Sequence, residues 1–294
     1  MTAPSMLVAN VAPERRWRRA LGRTGTVLGA VIVGAVLLIA IIGPWLIHAD
    51  PFAQDLNARL TPPFWMDGTD PAHRLGTDQL GRDYLARLVY GARISLLIGA
   101  LTVVTSGLIG TTLGILGGFF GGRADDAVLF AITTRLSIPV VLVALAVVGL
   151  IGSSLTLVVL TLGLLLWDRF AVVARATTMQ IRTLDYIAAA RCAGASTPHL
   201  LFREVLPNIA SHLAVVATLE AALAILLEAT LSFLGLGVPP PLPSWGLMIA
   251  EGKDYMFFSP WVIMIPGVAL FVLVLGINLV GDGLRNLLGT EARR

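Results

Sequence analysis

Residues 26–47 form an unbroken run of 22 residues without a charged side chain, and five more apolar runs follow, at about 94–117, 128–150, 155–173, 213–236 and 260–280. As a helix the first run is about 33 Å long, enough to cross roughly 30 Å of hydrocarbon. A cleaved leader has an apolar core of about 7–15 residues and a small-x-small site after it, neither of which suits this run, so it reads as a retained anchor. With 56% apolar and 13% charged residues and a mean hydropathy of +0.83, the chain is too apolar for an ordinary soluble domain. A bilayer is its natural solvent, and six spans are expected.

The distribution of Arg and Lys sets the expected orientation. With the N-terminus inside, the inner segments hold 14 of the 21 basic residues (Arg15, Arg16, Arg18, Arg19, Arg23, Arg123, Arg169, Arg175, Arg182, Arg191, Arg203, Arg285, Arg293 and Arg294). The outer segments hold Arg59, Arg74, Arg82, Arg87 and Lys253, and Arg93 and Arg135 fall at or within spans. The positive-inside rule then puts both termini in the cytoplasm. A net charge of only +3, with no basic block interleaved with aromatics, gives no reason to expect a nucleic-acid partner. Cys192 is the only cysteine, which excludes an intrachain disulfide and a multi-cysteine metal cage.

Residues 48–92 are the long outer segment. They begin with turn chemistry at Asp50-Pro51 and Thr61-Pro62-Pro63. Thr77 or Asp78 is placed to cap an amphipathic helix in which Leu80, Tyr84, Leu85 and Leu88 recur at helical spacing, with Arg82, Asp83 and Arg87 on other faces. Such a helix would lie at the outer membrane surface, either to anchor the second span or to dock an external partner. The second span carries G-x-x-x-G spacing at 110/114, 117/121 and 118/122, which favours close helix packing. After the fifth span, Pro239, Pro240, Pro241 and Pro243 predict a stiff segment, a brace or part of an outer gate.

Residues 174–208 are the longest inner connection and read as two short helices with a break between them. Asp185 is placed to cap the first, whose Ala188, Ala189, Ala190, Ala193 and Ala195 leave a surface almost free of side chains. Gly194 interrupts it. Thr197 and Pro198 then start a second helix, and Pro207 marks the return to the membrane. A small-residue helix clear of the bilayer suits insertion into a groove on another protein; an ordinary connector is the simpler alternative.

Two carboxylates, Glu220 and Glu228, lie inside the fifth apolar run. A charge there is expensive, so each is expected to line a polar solute path or to hydrogen-bond a neighbouring helix, with Arg135 or a partner subunit as candidate. The only lysine, Lys253, is followed by Asp254, so no G-x-x-x-x-G-K-[ST] phosphate loop exists in the chain. His48, His73, His199 and His212 are scattered without metal spacing, and no catalytic constellation or cofactor site is expected.

The stretch Tyr186-Ile187-Ala188-Ala189-Ala190-Arg191-Cys192-Ala193-Gly194-Ala195-Ser196, followed by Leu206-Pro207-Asn208, resembles the E-A-A-x-x-x-G loop of binding-protein-dependent ABC import permeases. Leu75-Gly76-Thr77-Asp78-Gln79-Leu80-Gly81-Arg82-Asp83 and Leu231-Ser232-Phe233-Leu234-Gly235-Leu236-Gly237-Val238-Pro239-Pro240-Pro241 are similar to the C-type subunit of the dipeptide/oligopeptide branch. The family's loop glutamate falls on Ala188 here.

The resemblance implies an all-α integral membrane protein of the type I ABC importer fold, with six transmembrane helices, an amphipathic outer helix and a cytoplasmic coupling loop. It implies a division into 1–90 (N-terminus, first span, outer loop), 91–283 (transmembrane type-1 domain) and 284–294 (cytoplasmic tail). It further implies a place in the bacterial inner membrane beside a second homologous permease, two cytoplasmic ATPase subunits and an external solute-binding protein, with membrane lipid around it. On this reading Asp185, Ala188, Ala189, Ala190, Gly194 and Pro207 form the ATPase-coupling loop. The implied solute is a di- or oligopeptide, with nickel or glutathione as the alternatives within the branch. An ion-coupled secondary carrier using Glu220 and Glu228 is the alternative of another class.

Overall fold

The computed structural model describes residues 14–291, and every regular element among the described residues is a helix. The side chains of Arg15, Arg16, Arg18, Arg19, Arg23, Arg293 and Arg294 lie outside the described residues. Helix α1 (Glu14–Leu46) is followed by a long, mostly irregular segment and then by α2 (Tyr84–Phe120), which at 37 residues runs about 55 Å. Helices α3 (Gly122–Leu136) and α4 (Val140–Ile151) form a pair bent by 80°. Helices α5 (Leu155–Leu165) and α6 (Asp168–Ile181) form one span of 27 residues. Helix α7 (Asp185–Cys192), the short turn α8 (Thr197–His199), α9 (Leu206–Phe233), α10 (Trp245–Gly252) and α11 (Trp261–Glu291) complete the order.

Five helices are long and apolar enough to cross a membrane, and the bent α3/α4 pair brings the number to six where it is counted as one broken span. The break falls at Ser137-Ile138-Pro139, inside the run expected to be continuous over 128–150. Pro139 has no amide hydrogen to donate and disfavours helical geometry at Ile138, so the helix stops and restarts.

The expected outer amphipathic helix is corrected too. Residues 77–83 are not helical: Asp83, rather than Thr77 or Asp78, caps α2 by accepting from the Ala86 amide at 2.7 Å, and the helix then continues straight into the second span. A different short helix, α10, packs into the bundle against α2, α9 and α11. Six of the arginines counted into loops also lie inside these helices: Arg87, Arg169, Arg175, Arg203 and Arg285 in the continuous spans and Arg123 in the bent pair.

The spans differ in how they are covered. In α1 only 11% of the apolar window is buried, with Val27, Leu28, Val31, Leu38 and Ile41 bare on its outer side. In α5/α6 the figure is 56%, which makes it the central span. The glycines of α2 explain this. A Cβ at Gly110, Gly114 or Gly118 would lie 2.1, 2.6 or 2.7 Å from the carbonyl oxygens of Trp167, Ala171 and Arg175 on α6. One stripe, four residues apart, therefore brings the two backbones together. Of the three G-x-x-x-G spacings, 117/121 does not form part of it: Gly117 faces Val128 and Gly121 ends α2 at φ +70°.

Candidate functional site

Near the Phe120 end of α2, the 185–207 segment takes a form only partly anticipated. Asp185 is the first residue of α7 rather than its cap; Leu184 holds the cap position and no side chain caps the helix. The Asp185 charge still sits favourably at the helix N-terminus. Gly194, at φ +85°, closes the helix: the Ala195 amide donates to the Ala190 carbonyl and the Gly194 amide to Arg191, both at 3.0 Å. This pair of bonds is a Schellman ending, and it needs a residue tolerant of the left-handed region.

Only Ile187 is fully buried on α7. Ala188, Ala189, Ala193 and Gly194 are exposed and Ala190 is half-buried, so a shallow surface of small residues stands free. The Arg191 guanidinium lies 5.1 Å from the centre of the Phe119 ring and ties the helix to α2.

The second helix of the segment is not a separate unit. Ser196 stands at its cap position, without a side-chain bond, where Thr197 was expected. From Thr197 the chain stays helical to Phe233, through a π-helical turn at Leu200–Val205 and into α9. Pro207 therefore sits in a continuous helix. The wider turn, with the Leu206 amide donating to the Leu201 carbonyl, leads directly into the proline, which has no amide to contribute.

Glu220 and Glu228 are both fully buried on α9 but face different neighbours. Glu228 accepts from the hydroxyls of Ser232 (2.7 Å) and Ser244 (2.8 Å). Ser244 in turn caps α10, accepting from the Leu247 amide at 3.0 Å, so this carboxylate joins α9 to α10. Glu220 faces α6, where Arg169 Nη1 lies 3.2 Å from its Oε1. Arg135, proposed from the sequence as a partner, instead bonds the Leu165 carbonyl and lies 3.5 Å from Asp168. Both carboxylates therefore engage neighbouring helices.

At the Tyr84 end of α2 is a cluster the sequence reading did not assemble. Asp78 accepts from Arg82 Nε at 2.5 Å and lies 3.2 Å from Arg87 Nε. Glu251 on α10 accepts from Arg87 Nη2 at 2.7 Å and from Arg82 Nη2 at 3.2 Å. Asp78, Arg82 and Arg87 are buried. Tyr84 donates to the Val262 carbonyl, and the Trp245 indole donates to the Leu88 carbonyl at 2.8 Å. The segment between α1 and α2, together with α2, α10 and α11, is thereby locked into one body.

A family model described as binding-protein-dependent transport system inner membrane component matches residues 110–294, and one described as the N-terminal TM domain of oligopeptide transport permease C matches residues 14–63. The chain belongs to the inner membrane components of binding-protein-dependent transport systems. This permease is 41% identical to the di/tripeptide transport system permease protein DppC of Pseudomonas aeruginosa, over 94% of this chain and 91% of that protein. It is 37% identical to the dipeptide transport system permease protein DppC of Haemophilus influenzae, over 92% of each. Its identity to the glutathione transport system permease protein GsiD of Pectobacterium atrosepticum is also 37%, over 94% of this chain and 90% of that one. A chain of the MetNI methionine ABC transporter in inward-facing conformations superposes with a TM-score of 0.56 at 20% identity, covering 67% of this permease and 93% of that chain. The fold is shared with that transporter. Membership of this family leaves the ion-coupled carrier reading without support.

Proposed function

We propose that this permease forms one half of the translocation pathway for a di- or oligopeptide handed over by an external solute-binding protein. A second homologous permease completes the pathway, and two cytoplasmic ATPase subunits drive it. The observation that carries this reading is the 185–207 segment. Its small-residue surface on α7 is free to enter a groove, and Asp185, Ala188, Ala189, Ala190 and Gly194 lie on or beside that surface. From Thr197, three residues past Gly194, the chain is continuously helical through Pro207 to Phe233. A push on α7 is therefore delivered to the helix that holds Glu220 and Glu228, which is how ATP-driven closure would reorient the spans. The glutathione relative supports glutathione as a second solute reading.

The test is reconstitution of the complete complex in liposomes. Labelled dipeptide should accumulate only with ATP, all subunits and the binding protein present, and the purified chain alone should hydrolyse no ATP. Transport of glutathione but not dipeptide would move the solute assignment. Orientation is read in cells: Asp70→Cys should react with an impermeant thiol reagent from outside and Thr197→Cys only from inside. The reverse pattern would overturn the topology.

A further inference from the structure

Arg169 is a cation at the middle of the central span. It is the fifteenth of the 27 residues of the α5/α6 span, and it contacts Glu220 on α9. Its side chain is 56% exposed while that of Glu220 is 1% exposed. A guanidinium half-bare at this depth does not face hydrocarbon; it faces water or protein. Its neighbours on the same face, Val172, Ala176 and Gln180, follow at helical spacing and are likewise exposed, a mixture of small and polar residues rather than the bare apolar side chains of α1. The α2 glycine stripe packs the opposite side of α6, so this face is turned away from α2 toward the open side of the chain.

Both Glu220 oxygens are buried without a hydrogen-bond donor in bonding geometry, and among the described residues Arg169 makes no other ion pair. The arginine thus has one edge near a buried counter-charge and the rest of its planar fork available, a geometry suited to a carboxylate.

We infer that Arg169 is a solute-binding residue that takes the carboxylate of the transported peptide on a water-lined face of α6, with Glu220 as the residue that positions it. The inference rests on the peptide reading above and adds the chemical group that is recognised and the residue that recognises it. The zwitterionic solute is favoured over an acidic side chain of the second permease because the exposed face continues along α6 past Val172 to Gln180, a track rather than a single contact point.

The test uses the whole complex in liposomes, in a Cys192→Ser background. Arg169→Cys should lower dipeptide uptake about tenfold or more, the scale of one charged hydrogen-bonded contact. Aminoethyl methanethiosulfonate, which restores a cation, should recover several-fold of the loss, and the anionic sulfonatoethyl reagent should not. At saturating binding protein, wild type should carry the free-acid dipeptide better than its C-terminal amide, whereas Arg169→Cys should treat them alike and Glu220→Gln should narrow the difference. Val172→Cys, one turn along and outside the ion pair, keeps the test decisive if Arg169→Cys does not assemble: it should react with both reagents, more slowly when peptide is supplied. An unreactive Val172→Cys, an unchanged acid-to-amide ratio in Arg169→Cys, or labelling that peptide does not slow would overturn the inference, the last two pointing to a contact with the second permease. A wild-type complex that moves no peptide would instead remove the solute reading beneath it.

Discussion

At the Tyr84 end of α2 the chain is tied down by a buried cluster of charges, whereas near the Phe120 end α7 buries only Ile187 and lays Arg191 over the Phe119 ring. The first arrangement buries Asp78, Arg82 and Arg87 and closes them with Glu251, a residue more than 160 positions away in sequence. The second leaves Ala188, Ala189, Ala193 and Gly194 bare. Buried charges tolerate little displacement, because removing one partner leaves another desolvated and alone. Small exposed residues leave a helix free to be covered by something else. One end therefore behaves as an internal lock and the other leaves a small-residue surface uncovered, and α9 runs between them, from the π turn to its link with α10 through Glu228.

The contrast is broken most severely by attacking the lock. Arg87→Leu leaves Asp78 and Glu251 with Arg82 as their one shared cation and should destabilise the protein by about 3–5 kcal/mol. Thermal unfolding in detergent should show a large fall in midpoint, and an unchanged midpoint would mean the cluster is no lock. Gly114→Leu comes next. A Cβ at this position already lies 2.6 Å from the Ala171 carbonyl, so the α2–α6 contact must open, at a cost of about 1–3 kcal/mol. The same melting measurement checks it, and stability within error of wild type would contradict the close backbone approach.

The smallest effect on stability, and the one that most sharpens the comparison, belongs to Ala189→Trp. Its surface is exposed, so the midpoint should move by no more than about 0.5 kcal/mol equivalent while copurification with the ATPase and solute uptake disappear. Normal uptake by this variant, with ATPase bound, would reduce α7 to a connector. Gly194→Arg is a less clean probe: a Cβ there meets nothing within 4 Å, but φ is +85°, so backbone strain of about 1–2 kcal/mol accompanies any loss of docking. Ala188→Glu should leave both readouts unchanged.

Much of the architecture was written in one dimension. Hydrophobic run length alone specifies the number of spans, since every backbone group in hydrocarbon must be satisfied within its own helix. Gly194 marked the end of α7 correctly, because the Schellman ending is a local matter of one residue's tolerance for positive φ. Local rules also mislead where a longer-range demand intervenes. Thr77 and Asp78 have good capping side chains, yet Asp78 is drawn into the ion cluster and Asp83 takes the cap. Pro207 looks like a boundary, yet the π turn before it lets the helix run on.

What the sequence determined by itself was the solvent, the number of crossings and the small-residue character of α7, all of which follow from composition and short-range spacing. Tertiary structure alone decided which charges meet. Arg169 rather than Arg135 faces Glu220, and Glu251 rather than a nearer carboxylate completes the cluster at Arg87. Partners of that kind are chosen by how closely helices approach and at what rotation. Here the α2 glycines and the α9–α10 contact set that geometry, and a linear pattern of residues does not encode it.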